Sequence, residues 1–473
     1  MSSRGEKLLL ALVPFVAVVA VAVGLRVGAP NAVRSVVVYG APPSGTGGLA
    51  WQVIAFDEDN RARWPAAGVP IEAFARVSGT EVRWQGRTNQ DGVAEAQFAL
   101  TTPNGMSLAV WSGEKLLAQG LVSIPAKLDT AAPTPVWMPF ARRQGPIMLD
   151  VAVLGQRVAP GFPASLWVRA TDASTHARLA GIRLAAVPDA SLLSVVAMEP
   201  TSAGGWAELS ATAVGLAVSL TLHALSPDGR TGDWEGGLHM SPGAAIVRTR
   251  ARWLPDEEPE VEVIAPGTQR IVYLEIDNAR GRAWAAHVSL AGNADGMSGA
   301  RARGPKLPPG LYWAAAAADA MGATKLERGT SVRPFFVASS DDAAFAFGEE
   351  TAECAPPSDG RETSRALAAC LAMTAATPVP RWVALDGFSM ERAKDAHARF
   401  LGLVIALGAI LVAALLEGTL VLRAAASSRA SLSATHAVIE KDQTIARVSG
   451  VAVALLVALL GFALFAAFLV RAG

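Results

Sequence analysis

Apolar residues follow two different patterns along this chain. Three long runs, Leu8 to Leu25, Phe400 to Leu422 and Val448 to Val470, each reach the length a helix needs to cross a hydrocarbon layer about 30 Å thick. Between the first two, short stretches alternate apolar with polar residues, the period of a half-buried strand. The pattern predicts a mainly β body of roughly 370 residues carried on three transmembrane helices, one N-terminal and two C-terminal.

Within the body one pattern occurs twice. Trp51-Gln-Val-Ile-Ala-Phe-Asp57 and Leu166-Trp-Val-Arg-Ala-Thr-Asp172 are matched strands, each ending at an Asp before a polar turn. Gly68-Val-Pro-Ile-Glu-Ala73 and Gly181-Ile-Arg-Leu-Ala-Ala186 follow, then Thr88-x-x-x-Gly92-x-Ala-Glu95 and Thr201-x-x-x-Gly205-x-Ala-Glu208, with glycine and threonine 20 residues apart in both copies. Shared order and spacing predict two copies of one β-domain. Gly92 and Gly205 supply the turn its permissive backbone, and a bulky residue at Gly205 is expected to destabilise it. Glu95 and Glu208 are expected on the solvent side of their strands, because a half-buried strand presents alternate polar residues to water. Residues Val33 to Val247, holding both copies, are expected to fold by themselves.

A third β-region, without the glycine-glutamate motif, is predicted from Arg252 to Ala338, with strands at Arg270 to Asp277 and Val332 to Val337. Ala131-Ala-Pro-Thr-Pro135 and Pro255-Asp-Glu-Glu-Pro-Glu260 read as linkers, since proline resists helix and central strand. The expected divisions are a cytoplasmic start and signal-anchor helix over 1–29, a first sandwich over 30–130, and a linker with the second sandwich over 131–250. The third β-rich domain follows over 251–338, a membrane-proximal cap with a short helix over 339–398, a span over 399–423, a cytoplasmic loop over 424–446, and the last span and tail over 447–473.

The segment Val158-Ala-Pro-Gly-Phe-Pro-Ala-Ser-Leu-Trp-Val-Arg-Ala-Thr-Asp172, with the Gly181 strand and the Gly205 turn behind it, resembles the macroglobulin-like and bacterial immunoglobulin-like β-sandwich domains of cell-envelope proteins. The resemblance covers about residues 33 to 250 and implies a fold of tandem sandwiches. The reactive thioester of the large protease-trapping macroglobulins is not implied. Cys354 precedes Ala-Pro-Pro and Cys370 precedes Leu-Ala-Met, not the Cys-x-Glu-Gln setting of that group.

Charge sets the topology. Arg4 and Lys7 precede the first run, and Arg423, Arg429, Lys441 and Arg447 occupy the loop between the last two, so these segments are expected in the cytoplasm by the positive-inside rule. Arg392, Lys394 and Arg399, just outside the second span, oppose that bias. The body is then exported across a bacterial cytoplasmic membrane, where Cys354 and Cys370 are free to form a disulfide; two free thiols on a buried helix face are the alternative. With 41 basic and 41 acidic residues and no basic block, nucleic-acid binding is not expected.

Catalytic spacing is absent. The histidines, His176, His223, His239, His287, His397 and His436, form no i, i+4 pair and have no local Cys partner, Ser44-Gly-Thr-Gly-Gly48 lacks the Lys-Ser or Lys-Thr of a phosphate loop, and no Gly-x-Ser-x-Gly elbow occurs. Asp256, Glu257, Glu258 and Glu260 lack calcium-loop periodicity and read as a solvated linker. Trp51, Trp167 and Trp206 are expected in sandwich cores. The one ionisable residue inside a span, Glu417, is either interfacial or functional. Gly402 with Ala406, Ala409 with Ala413, Ala454 with Ala458 and Ala463 with Ala467 suit close contact, most simply between the last two spans. The expectation is a membrane protein without enzymatic activity, cofactor or metal. Its exported sandwiches serve as a structural spacer or a contact surface for other envelope or membrane proteins; a receptor coupling outside capture to the last two spans is the alternative.

Overall fold

The computed structural model describes residues 15–16, 18–24 and 33–432, apart from 45–47, 59–62, 101, 103, 129–137, 139–140, 156, 189–191, 198, 242–244, 293–295, 321–330, 348–353, 355–361 and 376–378. The third apolar run, the Ala131 to Pro135 linker and half of the first run lie outside the described residues. The chain forms two units: a larger one of Val36–Ala55 with Pro65–Asp386, and a smaller one of Met1–Ser35, Phe56–Trp64 and Gly387–Gly473.

The first sandwich is built from β1 (Val33–Gly40), β2 (Leu49–Glu58), β3 (Arg63–Pro65), β4 (Pro70–Val77), β5 (Thr80–Arg87), β6 (Val93–Phe98), β7 (Met106–Ser112) and β8 (Lys115–Val122). One sheet runs β5-β4-β7-β8; the other holds β1, β2 and β3 in order, with β6 also on β2. Alternation works as the sequence suggests: Ile71, Ala73 and Ala75 of β4 point into a core with Trp51, Val53 and Phe98.

This sheet is completed from far along the chain. Strand β26 (Trp382–Asp386) pairs antiparallel with β1, Val37 opposite Asp386 and Gly40 opposite Trp382. Leu385 enters the first core, and the Trp382 ring meets Trp51 edge-on at 6.0 Å. The first sandwich is therefore not self-contained within Val33 to Val247, because a strand outside that range closes it.

The second sandwich comprises β9 (Arg142–Gln144), β10 (Ile147–Val153), β11 (Pro163–Asp172), β12 (Arg183–Pro188), β13 (Leu192–Ala197), β14 (Trp206–Ala213), β15 (Val218–Leu225) and β16 (Thr231–Leu238), in sheets β10-β11-β14-β13 and β12-β15-β16-β9. The repeat extends to individual hydrogen bonds. Thr88 Oγ1 accepts from the Val69 amide at 2.9 Å and donates to the Ala66 carbonyl at 2.6 Å. Thr201 does the same with Ile182 at 2.9 Å and Leu179 at 2.7 Å. Gly92 and Gly205 both have positive φ, 72° and 76°, and their carbonyls accept from Ala55 and Ala170, at 2.8 Å each. A Cβ on Gly205 would lie 2.8 Å from the Ala170 carbonyl oxygen. Conformation and space thus both require glycine.

The third sandwich contains β17 (Ile246–Arg248), β18 (Arg252–Trp253), β19 (Glu260–Pro266), β20 (Ile271–Asn278), β21 (Gly281–Ser289), β22 (Ala291–Gly292), β23 (Met297–Arg303), β24 (Gly310–Ala317) and β25 (Ser331–Val337), in sheets β17-β19-β23-β22 and β18-β25-β24-β20-β21. Its core gathers Val263, Leu274, Ile276, Tyr312 and Phe335. The expected Pro255 to Glu260 linker gives up Glu260 as the first residue of β19. Two short helices follow, α1 (Asp341–Ala346), capped by Ser340 through the Ala343 amide, and α2 (Thr363–Ala372). Cys354 and Cys370 form a disulfide at α2. These helices share an apolar cluster with Phe336 and Ala338 and with Trp167 and Trp206 of the second sandwich. Both tryptophans thus sit on the outer face of their sheet rather than in the sandwich core, where only Trp51 of the three expected is found.

In the smaller unit, α3 (Gly387–Leu432) begins on the residue after β26 and runs for 46 residues. Among the described residues it is the one helix long and apolar enough to cross a membrane, over Gly387–Leu416. Residues 18–24 of the first run are helical, and a Cβ on Gly24 would lie 2.7 Å from the Gly402 carbonyl oxygen and 3.3 Å from Ala406 Cβ. Gly402 and Ala406 thus meet the first run. Near the start of α3, the guanidinium groups of Arg63 and Arg392 lie 3.8 and 3.9 Å from the centre of the Phe388 ring.

Two outcomes follow for stability. Gly205→Val is expected to cost about 3 kcal/mol, through positive φ and the carbonyl contact, read as easier cleavage in pulse proteolysis of the detergent-solubilised chain. A soluble segment ending at Asp386 is expected to keep residues 33–122 resistant to trypsin, whereas one ending at Thr374, lacking β26, is expected to be cut there.

Candidate functional site

The most heavily charged buried region lies where the first and third sandwiches meet. Strand β20 explains its location. Val272, Leu274 and Ile276 face the third core, and the alternate residues Tyr273, Glu275 and Asp277 face the other way. That second row is buried as well, at 1%, 3% and 8% exposure. The first sandwich covers it. Gln52 of β2 and Glu95 of β6 are cross-strand neighbours on the outer face of their sheet, and Asn89 and Asp91 lie in the turn preceding β6. The backbones approach closely: the Arg282 amide donates to the Pro42 carbonyl at 2.8 Å, and a Cβ on Gly281 would lie 2.1 Å from that oxygen.

Two guanidinium groups and two carboxylates balance inside this junction. Arg282 of β21, at 1% side-chain exposure, reaches Glu95 and Glu275 at 3.0 Å each and donates to the Ala50 carbonyl at 3.3 Å. Arg381, the residue before β26, pairs with Glu275. It also donates to Gln52 Oε1 at 3.0 Å and to the Ala320 carbonyl at 2.7 Å. The Gln52 amide donates in turn to Glu95 at 3.0 Å and to Ala320 at 2.8 Å. At one end of the row, the Tyr273 hydroxyl donates to Asp91 at 2.6 Å and accepts from Asn89 at 2.8 Å. Burial of four charges is tolerated because each has an opposite partner, and Glu95, Arg282 and Arg381 have further hydrogen bonds; removing one partner leaves an uncompensated charge, a cost of about 3–5 kcal/mol.

The surroundings shift several groups. Burial lowers Arg381 to about 10, with the Glu95 charge opposing the shift. Burial raises Tyr273 well above the ordinary phenol range, helped by Asp91. Asp277 is raised to about 7 by burial, against the pull of Arg282. Below neutral pH it is therefore largely the neutral acid.

Of the two repeat glutamates, Glu95 differs from the solvent-facing expectation, and Glu208 is half-buried. Glu95 has 3% side-chain exposure and is clamped by Arg282. Glu208, opposite Trp167 on β11, accepts from the Ser165 hydroxyl at 2.5 Å. Burial lowers the pKa of Arg333 of β25, with Glu208 acting in the opposite direction. Each repeat glutamate thus acts on an arginine of the third sandwich, Glu95 by a direct ion pair with Arg282 and Glu208 through its charge on Arg333. Sequence alternation located the outer face and missed that another domain covers it. The available signal was the polar row Tyr273, Glu275, Asp277 on a strand whose other row is fully apolar.

Elsewhere, the acidic cluster joins an open groove of about 710 Å³ in the third sandwich, lined by Arg248, Trp253, Glu260, Glu262, Arg301 and Arg303 among others. Cross-strand pairs neutralise it, Arg301 with Glu262 at 3.3 Å and Arg303 with Glu260 at 3.6 Å. A second cleft, about 490 Å³, opens at the junction itself between Asn89 and Gln90 on one side and Gln269, Arg270 and His287 on the other. His223 pairs with Asp233 at 2.5 Å. Among the described residues no group of three His, Cys, Asp or Glu side chains is placed to hold a metal ion. Glu417 lies within α3, and its side chain is outside the described residues.

No protein-family model and no curated protein matches the chain. Similar solved structures include the Yersinia pseudotuberculosis adhesin InvE, 17% identical over 48% of this chain and 66% of that one, with a TM-score of 0.17. The Escherichia coli adhesin FdeC is 15% identical over 66% of this chain and 98% of that one, at 0.16. E. coli alpha-2-macroglobulin is 11% identical over 65% and 23%, at 0.15. The chain spans less than two thirds of InvE and about a quarter of the macroglobulin. The resemblance is to β-sandwich fold alone and carries no argument about domain arrangement or activity.

Asp277 gives the junction a pH dependence of defined sign. The unfolded carboxyl ionises near pH 4, the folded one at about 7. Between these values the folded chain holds a proton that the unfolded chain has lost. The contribution is complete below about pH 4 and falls as pH rises through 7. Asp277→Asn is expected to flatten this dependence and to stabilise the chain at pH 8 by on the order of 2 kcal/mol, measured by pulse proteolysis at pH 5 and pH 8.

Proposed function

We propose that this chain is a membrane-anchored cell-envelope protein whose exported three-sandwich body acts as a protein-interaction module, held in a bacterial cytoplasmic membrane by three helices. The observation that carries this reading is the pairing of β26 with β1. The body leaves the first apolar run through β1 and enters α3 directly from β26, so both of its ends belong to one edge of one sheet. A module tethered in this way is rooted at a single place. An extended spacer would instead need its ends far apart, and the interaction role is favoured for that reason.

The anchor reading draws on the length and hydropathy of α3, on the contact of Gly24 with Gly402 and Ala406, and on the positive-inside distribution of Arg4, Lys7, Arg423 and Arg429. A receptor that passes capture outside to the spans is the second reading. It is favoured by one specific feature: Arg381, a member of the buried cluster, lies six positions before the first residue of α3.

Protease added to spheroplasts tests the placement. The body, residues 33–386, is expected to be digested while a tag inserted at Ser433 survives. A protected body, or a digested tag, overturns the proposal.

A further inference from the structure

The buried cluster joins three parts of the chain that are distant in sequence. Glu95 and Gln52 come from the first sandwich, Glu275 and Arg282 from the third, and Arg381 from the segment that delivers β26. Each guanidinium uses Glu275, so neither arginine is independent of the other. Arg381 also precedes Trp382, whose ring rests against Trp51, and Leu385, which fills the first core.

We infer that the junction of the first and third sandwiches is a latch for β26: parting the two sandwiches releases the strand that leads into α3. The physical reason is charge. Arg381 has 2% side-chain exposure and is held by Glu275, Gln52 and the Ala320 carbonyl. If the sandwiches separate, Glu275 and Gln52 move apart, one carried by each. Arg381 then loses Glu275 and the Ala320 carbonyl, two of the three partners that fix it, and is solvated instead, so the start of the adjoining strand is held less firmly on β1. Packed junctions of this kind have discrete closed and open arrangements, which lets a small separation act on a whole strand. The cleft beside Asn89 and His287 marks the side from which the two sandwiches could be wedged apart. The inference concerns coupling inside the chain and stands whatever the body binds.

The test is amide hydrogen exchange on the full chain in detergent. Tyr273→Phe removes the hydroxyl that bridges Asn89 and Asp91, bonds that involve neither Arg381 nor β26. Residues 382–386 are expected to exchange about tenfold faster or more, while β15 and β16 of the second sandwich are unchanged. Coupling must be reciprocal, so Trp382→Ala is expected to speed exchange at residues 91–94. Glu275→Gln, which touches both arginines, should give the larger effect on 382–386; if that chain does not fold, Tyr273→Phe decides. Unchanged exchange over 382–386 in Tyr273→Phe, with residues 89–93 loosened, overturns the inference, as does loosening of 382–386 accompanied by equal loosening of β15 and β16.

Discussion

The pairing of β1 with β26 is the constraint on which the rest of this structure depends. It joins the strand that follows the first apolar run to the strand that precedes the second, and turns a tandem array into a closed circuit. With the ends fixed together, the third sandwich lies against the first. Its approach puts the outer face of β20 against the outer faces of β2 and β6. A polar row that would otherwise meet water is then buried, and the charges along it must be matched. Arg282 and Arg381 against Glu95 and Glu275 meet that requirement.

The two repeat copies show one strand face put to two uses. In the first, Gln52 lies opposite Glu95 and the face is polar. In the second, Trp167 lies opposite Glu208, and the tryptophan joins Trp206, Phe336 and the helices α1 and α2 in an apolar cluster. The glutamate is common to both copies; its neighbour decides the chemistry. A polar neighbour gives an interface that is specific in register and costly to break. An aromatic neighbour gives one that depends on area and shape.

Much of the β architecture is legible in the sequence because it rests on local rules. Alternation locates β2, β4, β11 and β20, and the threonine-glycine motif marks a turn whose bonds are the same in both copies. The junction is less legible for a physical reason. Glu95, Glu275, Arg282 and Arg381 are separated by up to 286 positions, and alternation alone cannot distinguish a strand face turned to water from one turned to another domain. Trp167 and Trp206 illustrate the same limit from the apolar side: a tryptophan in a strand pattern reads as sandwich core, and here both serve an outer face. β26 is only five residues long and follows a proline-rich segment, so its place beside β1 has no local signature.

The circuit also sets an order of events during synthesis. Asp386, the partner of Val37, is made about 350 residues later. In any delivery that begins at the N-terminus, the first sandwich to emerge is the last to be completed. At about 5–20 residues per second the wait is tens of seconds. Throughout it β1 offers an unpaired edge, the kind of surface on which chains associate wrongly. The residue after β26 opens the long apolar helix, so the strand that finishes the body is made immediately before that helix. The fold is thereby completed only as the long helix begins to be made, and a chain that stops short of that point lacks its closing strand.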